Sequence, residues 1–351
     1  MRARGLRYRY PGTRRKPGRV GIDGLALKVE AGERVALIGP NGSGKTTLVR
    51  LLATDLPPTD GTLELLGRPA RPASPALRRR IAYAADRPVH WDPLTGAENL
   101  RFLAEVRDGD PEGRGGGLDS GGRDPLEVAR TLGLGPVLDE AVSRYSFGMR
   151  RRLLLAEVLA TSAPLLLLDE PTVGLDPEGV AALGRELRDR AGAGGAVVFA
   201  TNEVREVPDW ATRVVFLHRG KVVADASPDD LLARVRGRTR ITVVYQGSGM
   251  DTLEGIGELE GMGAPEDLGA LEPGEQPVTP SGPRGLRTVR IRTPRGARLL
   301  PELLEVLLNA GAEIRDVQVR KPDLRDVFRE LTGVEMEVEA EAEPSPAGGR
   351  P

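Results

Sequence analysis

The chain has no cysteine and only two histidines, His90 and His218. Disulfides and thiolate metal sites are therefore excluded, and a histidine-based zinc centre has too few ligands. Aromatic residues make up 3% of the chain, so its cores must be aliphatic, which a hydrophobic content of 39% allows. Positive charge is not in surplus: 50 Lys and Arg stand against 51 Asp and Glu. A broad nucleic-acid-binding face normally shows a basic excess, so no nucleic-acid partner is expected. No apolar run approaches the ~20 residues that span a bilayer. The N-terminal MRARGLRYRY lacks the apolar centre of a signal peptide. A soluble, cytosolic chain with no transmembrane segment is expected, unless a partner holds it at a membrane. No internal repeat is found.

What the chain does have is glycine where phosphate chemistry needs it. The run GPNGSGKTT, from Gly39 through Pro40, Asn41, Gly42, Ser43, Gly44, Lys45 and Thr46 to Thr47, fits the pattern G-x-x-x-x-G-K-[ST]. Phosphate oxygens need many donors converging on them, and glycines let backbone N–H groups turn inward without a side chain in the way. Lys45 can reach the β- and γ-phosphates, and the Thr46 hydroxyl can ligate Mg²⁺. VALIG before the run reads as a buried strand, and TTLVRLLATDL after it reads as a helix whose N-terminus faces the anion. Further on, four leucines, Leu165 to Leu168, lead into Asp169 and Glu170. An all-apolar run predicts a buried parallel strand. Carboxylates at its C-terminal tip lie in the crevice where α/β sheets bind ligands. Together the two motifs predict a nucleoside triphosphate site with magnesium. Asp169 is the metal-side acid, and Glu170 is the base for water.

About two domains are expected from 351 residues. Residues 1–236 read as one α/β unit of P-loop NTPase type, with an antiparallel N-terminal sheet. Within it, apolar residues at i, i+3 and i+4 mark a helical insert over about residues 87–160. The insert contains a glycine-rich stretch at 108–124, read as a mobile loop. From residue 237 to 336 a strand–strand–helix–strand pattern predicts a small α+β accessory domain, with Asp323 as the N-cap of a last short helix. Residues 247–285 read as a flexible loop, and 337–351 as a disordered acidic tail.

With these pieces in order, residues 1–236 resemble the ATP-binding subunit of an ABC transporter. Tyr10, in YRYPG, is similar to the aromatic that stacks on adenine. IAYAAD stands in the place of the family's glutamine loop. YSFGMRRR resembles the signature that caps the ATP of the opposite subunit. GLD, from Gly174 to Asp176, resembles the dimer-interface loop, and FATNE occupies the place of the switch histidine. The stretch VQVRKPDLRDVFRELTG is similar to the C-terminal extension of drug and antibiotic exporter ATPases of the daunorubicin-resistance type. The resemblance implies ATP and Mg²⁺ as ligands and a second ATP-binding subunit, identical or different. It also implies a separate integral membrane permease, driven as an exporter from the cytoplasmic face of the cell membrane. Ser146, Phe147, Gly148 and Met149 would face the partner's nucleotide, and Asp176 the dimer interface.

The departures from that pattern are specific. Asp86 replaces the loop glutamine, which adds a third carboxylate near Asp169 and Glu170; like charges that close raise a pKa or demand a cation. Asn202 replaces the switch histidine, giving a neutral donor where a charge-assisted bond would be about twice as strong. Phe147 replaces the first signature glycine, so its ring must be steered aside for a dimer to close. Asp86 and Asn202 alter the site on this chain's own phosphate loop, and Phe147 alters the partner's. Losing one charge-stabilising contact typically costs about 10²–10³ in rate. Hydrolysis is therefore expected but slow. The alternative is a non-hydrolysing, ATP-gated subunit that dimerises and regulates a membrane complex.

Smaller signals have plain readings. The apolar stripe in LLPELLEVLL is core. His218 ends a strand at the surface. His90 and Trp91 lie where the family meets its membrane partner. The arginines at 78–80 and 150–152 are read as solvated helix faces.

Overall fold

Runs of leucine, valine and isoleucine without polar alternation have no solvent face to offer, so they form strands covered on both sides. The structure, a computed structural model, describes residues 1–12, 18–70, 75–108, 122–235, 239–246, 286–293, 296–309 and 311–336. The proposed loop 247–285 and acidic tail 337–351 lie outside the described residues, as does most of the glycine-rich stretch 108–124. The rest falls into two compact units: Met1–Pro228 with the chain from Phe328, and Asp229–Val327.

The first unit opens with β1 (Arg2–Arg9) and β2 (Val20–Lys28), then β3 (Arg34–Ile38), α1 (Lys45–Leu52), β4 (Asp60–Leu65) and β5 (Arg68–Pro69). After α2 (Pro75–Arg78) and β6 (Ile81–Ala84) come three helices: α3 (Gly96–Asp108), α4 (Pro125–Thr131) and α5 (Phe147–Leu159). The sheet resumes with β7 (Leu165–Asp169), α6 (Pro177–Gly192), β8 (Ala196–Thr201), α7 (Val207–Trp210), β9 (Arg213–His218) and β10 (Lys221–Ala226); α8 (Pro228–Ala233) follows and belongs to the second unit from Asp229 on. β1, β2, β4 and β5 form an antiparallel sheet in the order β2-β1-β4-β5. The central sheet has the order β10-β9-β3-β8-β7-β6, parallel except where β10 folds back on β9. This is the expected α/β fold of P-loop type.

Its core is mostly aliphatic, as the composition requires, with Phe199, Phe216 and Trp210 buried as well. Val35 to Ile38 on β3 and Leu165 to Leu168 on β7 are essentially without solvent contact. One face of α1, with Leu48, Val49, Leu51 and Leu52, packs in the same core as Leu165, Leu167 and Val198. Each fully buried leucine contributes about 1.5–3 kcal/mol by leaving water.

In the second unit β11 (Thr239–Gln246) is the centre of a three-stranded antiparallel sheet, β12-β11-β13, with β12 at Leu286–Thr293 and β13 at Glu313–Arg320. Alternation along β11 puts Ile241, Val243 and Tyr245 on one face. There they meet Leu303 and Leu307 of α9 (Leu300–Asn309) and Leu299 just before it. The stripe in LLPELLEVLL is therefore core as read. Asp323 Oδ1 accepts the Arg325 N–H at 2.8 Å at the start of α10 (Leu324–Thr332), the expected capping role.

Leu167 lies mid-strand in the buried centre of β7. Leu167→Ala should cost about 2–5 kcal/mol in chemical denaturation. A loss below about 1 kcal/mol would mean that β7 is not the packed centre of the sheet.

Candidate functional site

Parallel strands that lie side by side end side by side, and β3, β8, β7 and β6 do so in that order. Their C-terminal ends therefore set out a row of functional groups. The glycine-rich loop follows β3, Asn202 follows β8, Asp169 and Glu170 close β7, and Asp86 stands two residues beyond β6.

The loop needs its glycines for definite reasons. Gly42 has φ 80° and Gly44 φ 111°, backbone states that other residues adopt only with strain. At Gly39 and Gly44 an added Cβ would meet the carbonyl oxygens of Leu217 and Gly21, at 2.2 and 2.6 Å. Lys45 then opens α1 and is only 6% exposed. Its Nζ donates to the Gly39 carbonyl and to Asn202 Oδ1, each at 2.7 Å, and lies 3.9 Å from Glu170 Oε1. Burial pulls the ammonium pKa down, while Glu170 and Asp169 pull it up. Asn202 is fixed from two sides as well: its backbone N–H donates to Glu170 Oε2 at 3.0 Å, and Nδ2 donates to Asn41 Oδ1 at 3.1 Å. Glu170 has φ 47°, strained for a residue with a Cβ, and strain of that kind collects at functional sites.

Asp169 is wholly buried, and neither carboxylate oxygen has a hydrogen-bond partner. Burial raises its pKa, and Asp86 adds to the rise. The Thr46 hydroxyl, short of a formed hydrogen bond, favours the charged form, as do Lys45 and Arg151. An orphaned carboxylate facing a threonine hydroxyl at the edge of a phosphate loop fits a hard divalent cation. Among the described residues no group of three His, Cys, Asp or Glu side chains could hold a metal unaided. Such an ion would need oxygen ligands from outside the chain, which triphosphate supplies.

Tyr10, Asn41 to Thr47, Asp86, Glu170 and Asn202 line one cavity of about 430 Å³. Arg19 and Val173, which the sequence reading passed over, line it too. Arg19 holds its guanidinium 5.4 Å from the Tyr10 ring centre, and the Tyr10 hydroxyl is bonded to Thr47 Oγ1 at 2.9 Å. The signature residues do not line this cavity. Ser146 N-caps α5, accepting the Met149 N–H at 3.2 Å and donating its own N–H to Met149 Sδ at 3.4 Å. The Phe147 ring is 56% exposed beside them. Gly148 backs onto Gly174, where an added Cβ would come within 2.6 Å of the Gly148 Cα. Asp176 N-caps α6 through Gly179 and pairs with Arg152 at 3.5 Å.

One expectation needs correction. The arginines at 150–152 are not all solvated: Arg151 is 1% exposed. Its guanidinium donates to four backbone carbonyls, those of Ala85 (2.5 Å), Asp86, Asp169 and Glu170 (2.6 Å each). The signal was in the sequence. Arg151 stands at i to Leu154, Leu155 and Val158, on the face of α5 that is buried.

Comparison with known proteins is consistent with this geometry. A family model described as ABC transporter matches residues 22–173. A daunorubicin resistance ATP-binding protein of Streptomyces coeruleorubidus is 33% identical over 321 residues, covering 92% of this chain and 94% of that one. A fluoroquinolones export ATP-binding protein of Mycobacterium tuberculosis is 32% identical over 72% of this chain and 80% of its own length. A solved ATP-binding subunit of an ABC transporter superposes with a TM-score of 0.55 at 25% identity, covering 67% of this chain and 92% of that one.

Beside the site, His90 is largely buried with both ring nitrogens unpartnered, near the exposed, edge-to-face pair Trp91 and Phe102. Burial, aided by Arg150 and opposed by Asp92, pushes its pKa down from 6.5 to about 4. Because the unfolded chain takes up this proton more readily, the contribution to stability is complete above 6.5 and falls as pH drops from 6.5 towards 4. The loss should be on the order of 3 kcal/mol. In denaturation curves across that window, His90→Leu should flatten the slope by that amount, and an unchanged slope would contradict it.

Proposed function

This chain belongs to the ABC transporter family as an ATP-binding subunit, and from that premise we propose that it binds ATP with Mg²⁺ and hydrolyses it slowly to drive a separate membrane permease. The observation that carries the metal reading is the buried, unpartnered Asp169 carboxylate facing Thr46 at the edge of the phosphate loop. Thr46 and Asp169 would hold Mg²⁺, which supplies charge neutralisation at the β- and γ-phosphate oxygens. Tyr10 stacks the base. The backbone N–H groups from Gly39 to Thr46 and the Lys45 ammonium take the phosphates. Glu170, in reach of Lys45 and of the Asn202 N–H, accepts a proton from the attacking water. Asn202 offers a neutral hydrogen bond to the γ-phosphate, and Asp86 faces the same space.

ATP closes two such subunits like a clamp, with Ser146 and Gly148 of each bound to the nucleotide of the other and Asp176 at the interface. Relatives named for daunorubicin resistance and for fluoroquinolone export support an export role. Among the described residues no helix is long and apolar enough to cross a membrane, which fits a peripheral subunit held at the cytoplasmic face by its permease.

A second reading, an ATP-gated subunit without turnover, is favoured by one observation. Lys45 donates to Asn202 Oδ1 as well as to the loop, and the neutral Asn202 amide brings no positive charge of its own to the γ-phosphate. Two measurements on the purified full-length chain bear on these readings. By titration calorimetry, Lys45→Ala should weaken ATP binding by roughly a hundredfold, the worth of a lost charge-assisted contact in a buried site; unchanged affinity would overturn the site. In phosphate release, Asn202→His should raise turnover about tenfold or more, since it restores a charged donor. No gain would mean that this position does not limit hydrolysis.

A further inference from the structure

A charged side chain in the middle of a buried helix face is costly unless it is fully bonded. Arg151 comes close to that condition in an informative way: both Nη atoms are bonded, and only its buried Nε has no partner. Its neighbours Arg150 and Arg152 pair with the half-exposed Asp92 and Asp176. Arg151 instead turns inward and grips backbone only. Nη1 takes the carbonyls of Ala85 and Asp86, and Nη2 takes those of Asp169 and Glu170. One planar fork therefore joins two segments distant in sequence, the loop after β6 and the tip of β7. The side chains on those segments are Asp86, Asp169 and Glu170.

The other end of the same helix matters equally. Ser146, the N-cap of α5, and Phe147 and Gly148 in its first turn lie five, four and three residues before Arg151, about 4.5–7.5 Å along a rigid helix. A shift of that helix end would carry the four carbonyls with it. Only a guanidinium makes two parallel pairs of bonds of this kind. A lysine offers its donors at a single point, and a glutamine offers two.

We propose that Arg151 is a positioning residue that locks Asp86, Asp169 and Glu170 to α5, so that the acids of one ATP site move with the helix end that faces the second subunit. The proposal rests on the MgATP reading above. It makes Arg151 an outer support of the metal-side acid, and loss of such supports typically weakens metal binding by about 10–100-fold.

The test is ATP binding to the full-length chain by calorimetry, with and without Mg²⁺, for wild type, Arg151→Gln and Arg151→Lys, with a melting curve for each. In wild type Mg²⁺ tightens ATP binding. Arg151→Gln should lose about tenfold or more of that gain, while metal-free affinity stays within about twofold. Arg151→Lys should retain part of the gain, and it carries the test if the glutamine variant does not fold. A uniform loss with and without Mg²⁺ that tracks the melting temperature would reduce Arg151 to a structural staple and overturn the proposal. An intact Mg²⁺ gain in both variants would overturn it too, leaving the ATP site standing. Failure of wild type to bind ATP at all would overturn the site and the proposal together.

Discussion

A carboxylate with no solvent contact and no hydrogen bond is among the most expensive groups a protein can keep, and Asp169 is such a group. Its presence is tolerable because positive charge is gathered around it. Lys45 and Arg151, both nearly buried, each favour its ionised form, and the Thr46 hydroxyl helps. The two cations are held in turn by the same region. Lys45 is tied to the phosphate loop and to Asn202, and Arg151 to the carbonyls of the acidic segment itself. Taking an ion out of water costs several kcal/mol even after relaxation. The arrangement thus persists only as a set.

The fold's contribution is order along an edge. Because β8 lies between β3 and β7, Asn202 falls between the phosphate loop and Glu170, and it bonds to both. Because β6 adjoins β7, Asp86 falls beside the acid pair. Asp86 and Asn202 are therefore neighbours in one electrostatic field. If Asp86 stands for the glutamine and Asn202 for the histidine that the resemblance implies, negative charge is added at one end of the row and a potential positive charge is removed from its middle. Phe147 stands apart, exposed at the start of α5, where it bears on whatever approaches that helix end.

Much of this was legible in the sequence because the informative features are local. The phosphate loop needs glycine at fixed places, and the positive φ of Gly42 and Gly44 is the reason. The acid pair announces itself through the all-apolar strand that precedes it. The helical stripe from Leu299 to Leu307 reads as core for the same reason. What the sequence hid depends on tertiary contact. Arg151 looked like one of three solvated arginines, since charge suggests water, and only its place on the buried stripe of α5 says otherwise. The Asn202 bond to Lys45 joins residues 157 positions apart, which no local pattern reports. Arg19 joins the cavity through the pairing of β1 and β2, which returns the chain beside Tyr10.

The central claim is that this row of groups hydrolyses ATP, slowly, with Glu170 taking the proton of water. Phosphate release from the purified full-length chain with ATP and Mg²⁺, beside Glu170→Gln, tests it most directly. The account predicts slow, magnesium-dependent release in wild type and a fall of about 10²–10⁴ in the variant, the usual worth of a positioned general base. Equal release from both, or none from wild type while ATP remains bound, would contradict it.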